Sequence, residues 1–270
     1  MLNKLKLLFI GDIVGKPARE CLKEVLPSFK KEKGIDFVIA NGENASGGSS
    51  IVPKNAEEIL EAGVDVITTG DHIFKKKEAK KTLDDFPVIR PLNYGELAWG
   101  KGFIIKSLGE LKIAVVNLLG RVFMQPVDCP FKAIRDILPQ LQKETKIIIV
   151  DMHAEATSEK LAMGYFLAKS VSAVIGTHTH IPTADERILE NFTGYITDVG
   201  MTGSFDSILG REKYPIIEKF ITNIPKRFDI AKDDIRMQAV LLEIDSFSGG
   251  CENVERIEIK RRYNENRVHL

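Results

Sequence analysis

Imidazoles, carboxylates and amides recur in this chain at one kind of place. Four of its five histidines, His72, His153, His178 and His180, directly follow short apolar, β-branched runs. So do Asp12, Glu43, Asn44, Asp71 and Asp151. Each has an ordinary explanation when taken alone. Gly11-Asp12 is also a turn or a helix cap. Asn41-Gly-Glu43-Asn44 before Ala-Ser-Gly-Gly-Ser-Ser is also a loose glycine turn or a phosphate-cradling nest. It is not a P-loop, because no Gly-Lys-Ser/Thr follows. A lone His153 is also a hydrogen-bonded core histidine. His178-Thr-His180 is more specific, since residues two apart on an extended segment point to the same side and both rings can reach one cluster. Their shared placement after strand-like runs points to a single site. The set contains no thiolate, and oxygen donors mixed with imidazole suit Mn, Fe, Zn or Co rather than a closed thiolate zinc site. So many donors exceed one tetrahedral ion. Two ions about 3.5–4 Å apart, clamping the attacking and leaving oxygens of an in-line phosphoryl displacement, fit better.

Such convergence requires elements that deliver strand ends to one edge. The apolar runs are Leu5–Ile10, Phe37–Ala40, Val64–Thr69, Ile113–Leu118, Ile147–Val150 and Val171–Ile175, with Phe103–Ile105 expected to form a hairpin with Ile113–Leu118. They are continuous rather than alternating, as in sheets covered on both faces. Helical segments lie between them, the first opened by Pro17, which argues for an α/β layer architecture. In a wound α/β sheet the carboxyl ends of strands open onto the ligand crevice. Thr193–Ile196, Met237–Ile244 and Val254–Ile259 have fewer intervening helices and are expected in the antiparallel half of a mixed sheet or in a second sheet. From Lys260 to Leu270 the chain is charged and apolar-poor, and a frayed end is expected there.

Composition narrows the class. The 270 residues are 44% hydrophobic, and 38 basic residues balance 38 acidic ones. A zero net charge argues against a polyanion binder acting by bulk electrostatics, so RNA is not indicated as a partner. Cys21, Cys129 and Cys251 make neither a CxxC nor an even framework, which reads as a reduced, cytoplasmic protein. No run approaches the ~18 apolar residues of a membrane span, and the N-terminus lacks a signal-peptide pattern. Without linkers or repeats, residues 1–270 are expected to form a single domain. Self-association stays open.

The order Gly11-Asp12, Gly42-Glu43-Asn44, Gly70-Asp71-His72, His153, Gly176-Thr-His178-Thr-His180 resembles the calcineurin-like metallophosphoesterases, whose motifs run D-x-H, GD, GNH, H, GH-x-H. More narrowly, FIGDIVGKPAR, NGENASGG, RPLNY, NLLGRVFM, DMHAEATSEK, GTHTH and ITDVGMTG resemble the YmdB-type phosphodiesterases over about Phe9 to Gly210. Three departures from the superfamily pattern stand out. Val14 replaces the histidine of D-x-H, and Glu43-Asn44 replaces the second aspartate; both follow the YmdB-type subgroup. Asp71 stands where most relatives have asparagine and adds a negative charge. That charge would make a cluster of two divalent ions, a bridging hydroxide, Asp12, Glu43 and Asp71 neutral. Tighter metal binding, weaker attraction for phosphate, or a more oxidised ion such as Fe(III) would follow.

The resemblance implies a fold of two mixed β-sheets packed as a sandwich and flanked by helices, a four-layer α/β/β/α arrangement. It implies two metal ions per chain, iron or manganese first, with zinc, magnesium or cobalt also compatible. Asp12, Asn44 and His180 would hold one ion and Asp71, His153 and His178 the other, with Glu43 between them. Hydroxide bridging the ions would attack a phosphodiester, a 2′,3′- or 3′,5′-cyclic mononucleotide by analogy. His72 would protonate the leaving alkoxide, or only orient a ligand. A phosphomonoesterase, a short-RNA phosphodiesterase and a regulatory metal protein with little turnover remain alternatives. Arg121 is a candidate phosphate clamp or a surface ion-pair residue. Asp151 is a candidate to take a ring N–H of a ligand histidine. Thr157, Ser158 and Glu159 are expected as helix caps, and Lys75-Lys-Lys with Lys80-Lys81 as a solvated helix face.

Overall fold

The computed structural model describes residues 3–261. The first half of the chain forms β1 (Lys4–Ile10), β2 (Asp12–Ile13), α1 (Gly15–Lys33), β3 (Phe37–Asn41), α2 (Pro53–Glu61), β4 (Val66–Thr68), α3 (Ala79–Asp85), β5 (Phe103–Leu108) and β6 (Leu111–Leu119). The second half forms α4 (Pro130–Glu144), β7 (Ile147–His153), α5 (Thr157–Phe166), β8 (Ala173–Thr177), β9 (Arg187–Leu189), β10 (Thr193–Ile196), β11 (Met201–Ser204), α6 (Lys213–Thr222), β12 (Ile235–Asp245) and β13 (Cys251–Lys260). No helix among the described residues is long and apolar enough to cross a membrane.

One sheet runs β2-β11-β12-β1-β3-β4, with β13 on the free side of β12; the other runs β5-β6-β7-β8-β10-β9. In the first, β1, β3 and β4 are parallel, and β12 joins them antiparallel with Lys4 opposite Asp245 and Ile10 opposite Ala239. In the second, β6, β7, β8 and β10 are parallel, flanked by antiparallel β5 and β9.

Packing explains why the strands read as unbroken apolar runs. Leu5, Leu7 and Phe9 of β1 face Ile113, Val115, Ile147 and Ile149 of the opposite sheet. Their neighbours Leu8 and Ile10 face Ala18, Leu22 and Leu26 of α1 and Ile59 of α2. On the far side, Val116, Ile148 and Val150 pack under Ile134 and Leu141 of α4 and Met163 of α5. Both faces of both sheets are thus covered, and the layers are α/β/β/α as expected.

Two expectations change in detail, and one is narrowed. β7 runs through Asp151 to His153, so these residues end the strand instead of following it. Thr193–Ile196 (β10) lies in the second sheet, one of the two placements expected, between parallel β8 and antiparallel β9, whereas β12 and β13 pair antiparallel in the first. Of the tail expected to fray, Lys260 ends β13 and the Arg261 Nε donates to Glu24 at 2.8 Å. Residues 262–270 of that tail lie outside the described residues.

Candidate metal centre

The parallel strands of both sheets present their carboxyl ends to the same edge, and a buried polar seam ties the two edges together. Asp151 on β7 accepts hydrogen bonds from Thr68 on β4 and Asn41 on β3 through Oδ2, and from Thr177 on β8 at 2.6 Å through Oδ1. Thr69 N donates to Asn117 Oδ1 of β6 at 3.1 Å. These bonds hold the strand ends in register across the sandwich, where an unpaired polar group would be costly.

From these ends the site is assembled. Asp12 begins β2 and is fully buried. Beyond β3, Asn41 Oδ1 accepts from Glu43 N at 3.1 Å, which turns the Glu43 and Asn44 side chains inward. Beyond β4, a Cβ on Gly70 would sit 2.2 Å from His153 Nε2 and 2.3 Å from Glu43 Oε2, so only glycine lets the chain pass there. Beyond β8 the backbone leaves the extended region, with φ of 100° at His178 and 63° at His180. The two rings therefore do not share a side as on a strand. His178 faces His153 and Asp71, whereas His180 faces Asn44 and Asp12. This strained loop is held by Asp198, which accepts from Thr179 N at 3.0 Å, Thr179 Oγ1 at 2.7 Å, Gly200 N at 2.8 Å and the buried Lys160 Nζ at 2.7 Å.

Glu43, Asp71, His153 and His178 each offer a ligand atom, all within 4.8 Å of one another, a group that could hold a metal ion. His153 Nε2 lies 3.1 Å from Glu43 Oε1, 3.1 Å from His178 Nδ1 and 3.5 Å from Asp71 Oδ1. Alongside, His180 Nε2 lies 3.2 Å from Asn44 Nδ2 and 3.7 Å from Asp12 Oδ1, and Asn44 Nδ2 lies 3.2 Å from Glu43 Oε1. Asp12 Oδ1 and Asp71 Oδ1 are buried with no hydrogen-bond partner among the described residues. Two orphaned carboxylate oxygens amid imidazoles suit cations, which would satisfy both. Asn44 fits less directly. Its Oδ1 lies 3.0 Å from His72 Nδ1 while its nitrogen faces the cluster, so ligation through oxygen requires a half-turn of the amide.

The rings are oriented from behind. Thr177 Oγ1 donates to Asp151 and so accepts from His153 Nδ1 at 2.8 Å, which turns Nε2 toward the cluster. Asp151 therefore acts through Thr177 and touches no ring, because β7 and β8 carry the threonine between them. A carboxylate does lie directly against His178, but it is Glu155, with Oε2 3.3 Å from Nε2. His180 Nδ1 lies 3.1 Å from the Leu209 carbonyl. Burial pushes Asp12 up to about 7 and Asp151 up to about 6. Burial and the charge of His153 push His178 down to about 4. Burial works against charge at His153, yet Glu43 and Asp71 raise it well above the usual imidazole range. The carboxylates draw positive charge to the centre of the cluster.

A cavity of about 290 Å³ opens over the cluster, walled by Val14, Glu43, Asn44, Gly48, His72, Glu155, His178, Thr179, His180, Leu209 and Arg211. His72 stands in this wall with its backbone N–H on Glu43 Oε2 at 3.0 Å. Arg121 does not line the cavity; it is exposed, and its backbone N donates to Glu159 at 3.1 Å. Glu159 accordingly secures the loop after β6, and no side chain caps α5. Lys75 lies on a one-turn 3₁₀ segment, Ile73–Lys75, and Lys80 and Lys81 on α3, all exposed, so the lysines share no single helix. Glu155 was legible by the rule that found the others, an acidic residue just beyond a strand end. Arg211 was not, because a distant loop brings it in.

Comparison with known proteins agrees with this geometry. The YmdB-like protein family matches residues 8–257. The chain is 43% identical over 256 residues to the 2′,3′-cyclic-nucleotide 2′-phosphodiesterase of Bacillus subtilis strain 168, covering 94% of this chain and 97% of that protein. A crystal structure described as a novel phosphatase from Mycoplasma pneumoniae superposes with a TM-score of 0.90 at 34% identity, covering 96% of this chain and 95% of that one. A hypothetical protein from Thermus thermophilus superposes with a TM-score of 0.90 at 37% identity, covering 96% of this chain and 100% of that one. By sequence over most of its length and by fold, the chain belongs to the YmdB-like protein family.

Proposed function

We propose that this chain is a dinuclear metal-dependent phosphodiesterase, a single domain acting in the cytoplasm on cyclic mononucleotides. The observation that carries this is the convergence of Asp12, Glu43, Asn44, Asp71, His153, His178 and His180 from the ends of β1, β3, β4, β7 and β8, with two carboxylate oxygens left unpartnered. The activity in the name of the Bacillus subtilis relative supports the substrate class. Asp12, Asn44 and His180 would hold one ion, Asp71, His153 and His178 the other, and Glu43 would reach both. Iron or manganese suits this oxygen–imidazole set. Ions bound there would lower the pKa of a shared water and neutralise charge on the phosphoryl oxygens. The protein's own part is to fix the donors: Thr177, Glu155 and the Leu209 carbonyl aim the three rings. His72, on the cavity wall, would deliver a proton to the departing alkoxide.

The test is hydrolysis by metal-stripped protein with Mn²⁺ or Fe²⁺ restored. Bis-p-nitrophenyl phosphate, p-nitrophenyl phosphate and 2′,3′- and 3′,5′-cyclic AMP are the substrates, and Glu43→Gln is the control. Diester turnover that returns with metal and is at least about 100-fold lower in Glu43→Gln is expected, the loss of a charged partner at a buried site being of that order. Metal uptake without turnover of any diester would overturn the proposal.

A further inference from the structure

We propose that Arg211 is a substrate-binding residue that holds an anionic oxygen of the phosphoester, an inference that rests on the phosphodiesterase reading above. The chain turns tightly at 208–211, with Ile208 N on Arg211 O at 2.9 Å and Arg211 N on Ile208 O at 3.0 Å. The tip of this turn is fastened to the cluster by the Leu209 carbonyl against His180 Nδ1 at 3.1 Å. Arg211 is thereby set into the cavity wall, half-buried, beside the partly exposed Leu209 side chain.

Its guanidinium is held by backbone carbonyls, and Asp229 acts on its charge only from beyond ion-pair distance. Nη1 donates to the carbonyls of Gly47 at 3.3 Å and Phe228 at 3.1 Å, and Nη2 to that of Gly48. No carboxylate of the described residues lies within ion-pair distance of it. Of five N–H groups, Nε–H and one on Nη2 have no acceptor among the described residues. The loop after β3 is shaped around this side chain: Gly48 has φ of 80°, and a Cβ there would lie 2.2 Å from Nη2. The remaining ionisable groups of the wall are Glu43, Glu155 and three histidines, so Arg211 brings the fixed positive charge. A pre-positioned, unpaired guanidinium beside a cluster that takes phosphoryl groups is suited to fork onto anionic oxygen. Leu209 next to it offers an apolar surface to the ester substituent. The cavity would then favour anionic phosphoesters over neutral ones.

The experiment compares wild type, Arg211→Gln, Arg211→Lys and Gly48→Ala as Mn²⁺-loaded protein. It measures inorganic phosphate binding by calorimetry, KM and kcat for bis-p-nitrophenyl phosphate, metal content and thermal stability. Arg211→Gln is expected to weaken phosphate binding and raise KM about 10- to 100-fold, the worth of a charged hydrogen-bond pair, with metal content and kcat changed less than about threefold. Arg211→Lys should recover part of the phosphate affinity, and Gly48→Ala should lose affinity with the arginine still present. Phosphate affinity within twofold of wild type in metal-loaded Arg211→Gln would overturn the inference, whatever its stability. Phosphate binding is read without turnover, so failure of the diesterase reading alone leaves this result distinguishable.

Discussion

His72 has one ring nitrogen 3.0 Å from Asn44 Oδ1 and the other 3.7 Å from Asp71 Oδ2, on the wall of the cavity and outside the tight donor group. An imidazole placed there can orient neighbouring donors or supply a proton. The two roles separate by leaving group. A p-nitrophenolate departs without protonation, whereas a nucleoside alkoxide requires it. His72→Ala is expected to lower kcat for cyclic nucleotides about 100- to 10,000-fold, while bis-p-nitrophenyl phosphate turnover falls less than about tenfold. Equal losses on both substrates, with loss of metal, would assign His72 to orientation alone.

At the scale of elements, the loop after β8 is the least relaxed part of the site. Two histidines in the left-handed region are costly, and the buried Lys160–Asp198 pair, 2.7 Å apart, lies beneath them with Asp198 also bonded to Thr179. Removing one partner leaves a buried charge unpaired. Lys160→Met is expected to destabilise the protein by about 3–5 kcal/mol in urea denaturation. A change below about 1 kcal/mol would show that the pair does not hold the loop. This strut depends on tertiary packing that no local pattern dictates: Lys160 is buried where α5 packs over β8. The strand ends were legible, because an apolar run followed by Asp, Glu or His marks both the element and its exit. The positive φ at His178 and His180, and the exchange of Arg121 for Arg211 on the cavity wall, depend on loops whose course no local pattern dictates. Asp151 was expected to take a ring N–H directly, and its indirect path through Thr177 follows from the register of β7 against β8.

Over the whole molecule, the sandwich keeps its apolar mass between the sheets and under the helices, and its long β12 strand connects β1, β11 and β13. At its amino end Asp234 accepts from Arg236 at 2.6 Å and sits 2.8 Å from Lys260 Nζ, and these cations hold its carboxyl down to about 2 from an ordinary 3.8. A folded value below the unfolded one means the contribution is complete above about pH 4 and is lost as pH falls through about 2. Asp234→Asn should therefore cost about 1 kcal/mol at neutral pH, and its melting temperature should converge on wild type near pH 2. A constant difference across that window would count against the pairing.

The strand ends of the two sheets bring together Asp12, Glu43, Asn44, Asp71, His153, His178 and His180, donors that would hold the two ions of the proposed phosphodiesterase. The most direct measurement titrates Mn²⁺ into metal-free protein by calorimetry while following bis-p-nitrophenyl phosphate hydrolysis at each step. Saturation at two equivalents per chain is expected, with turnover appearing as the second site fills. Saturation at one equivalent with full turnover, or filling of two sites with none, would contradict it.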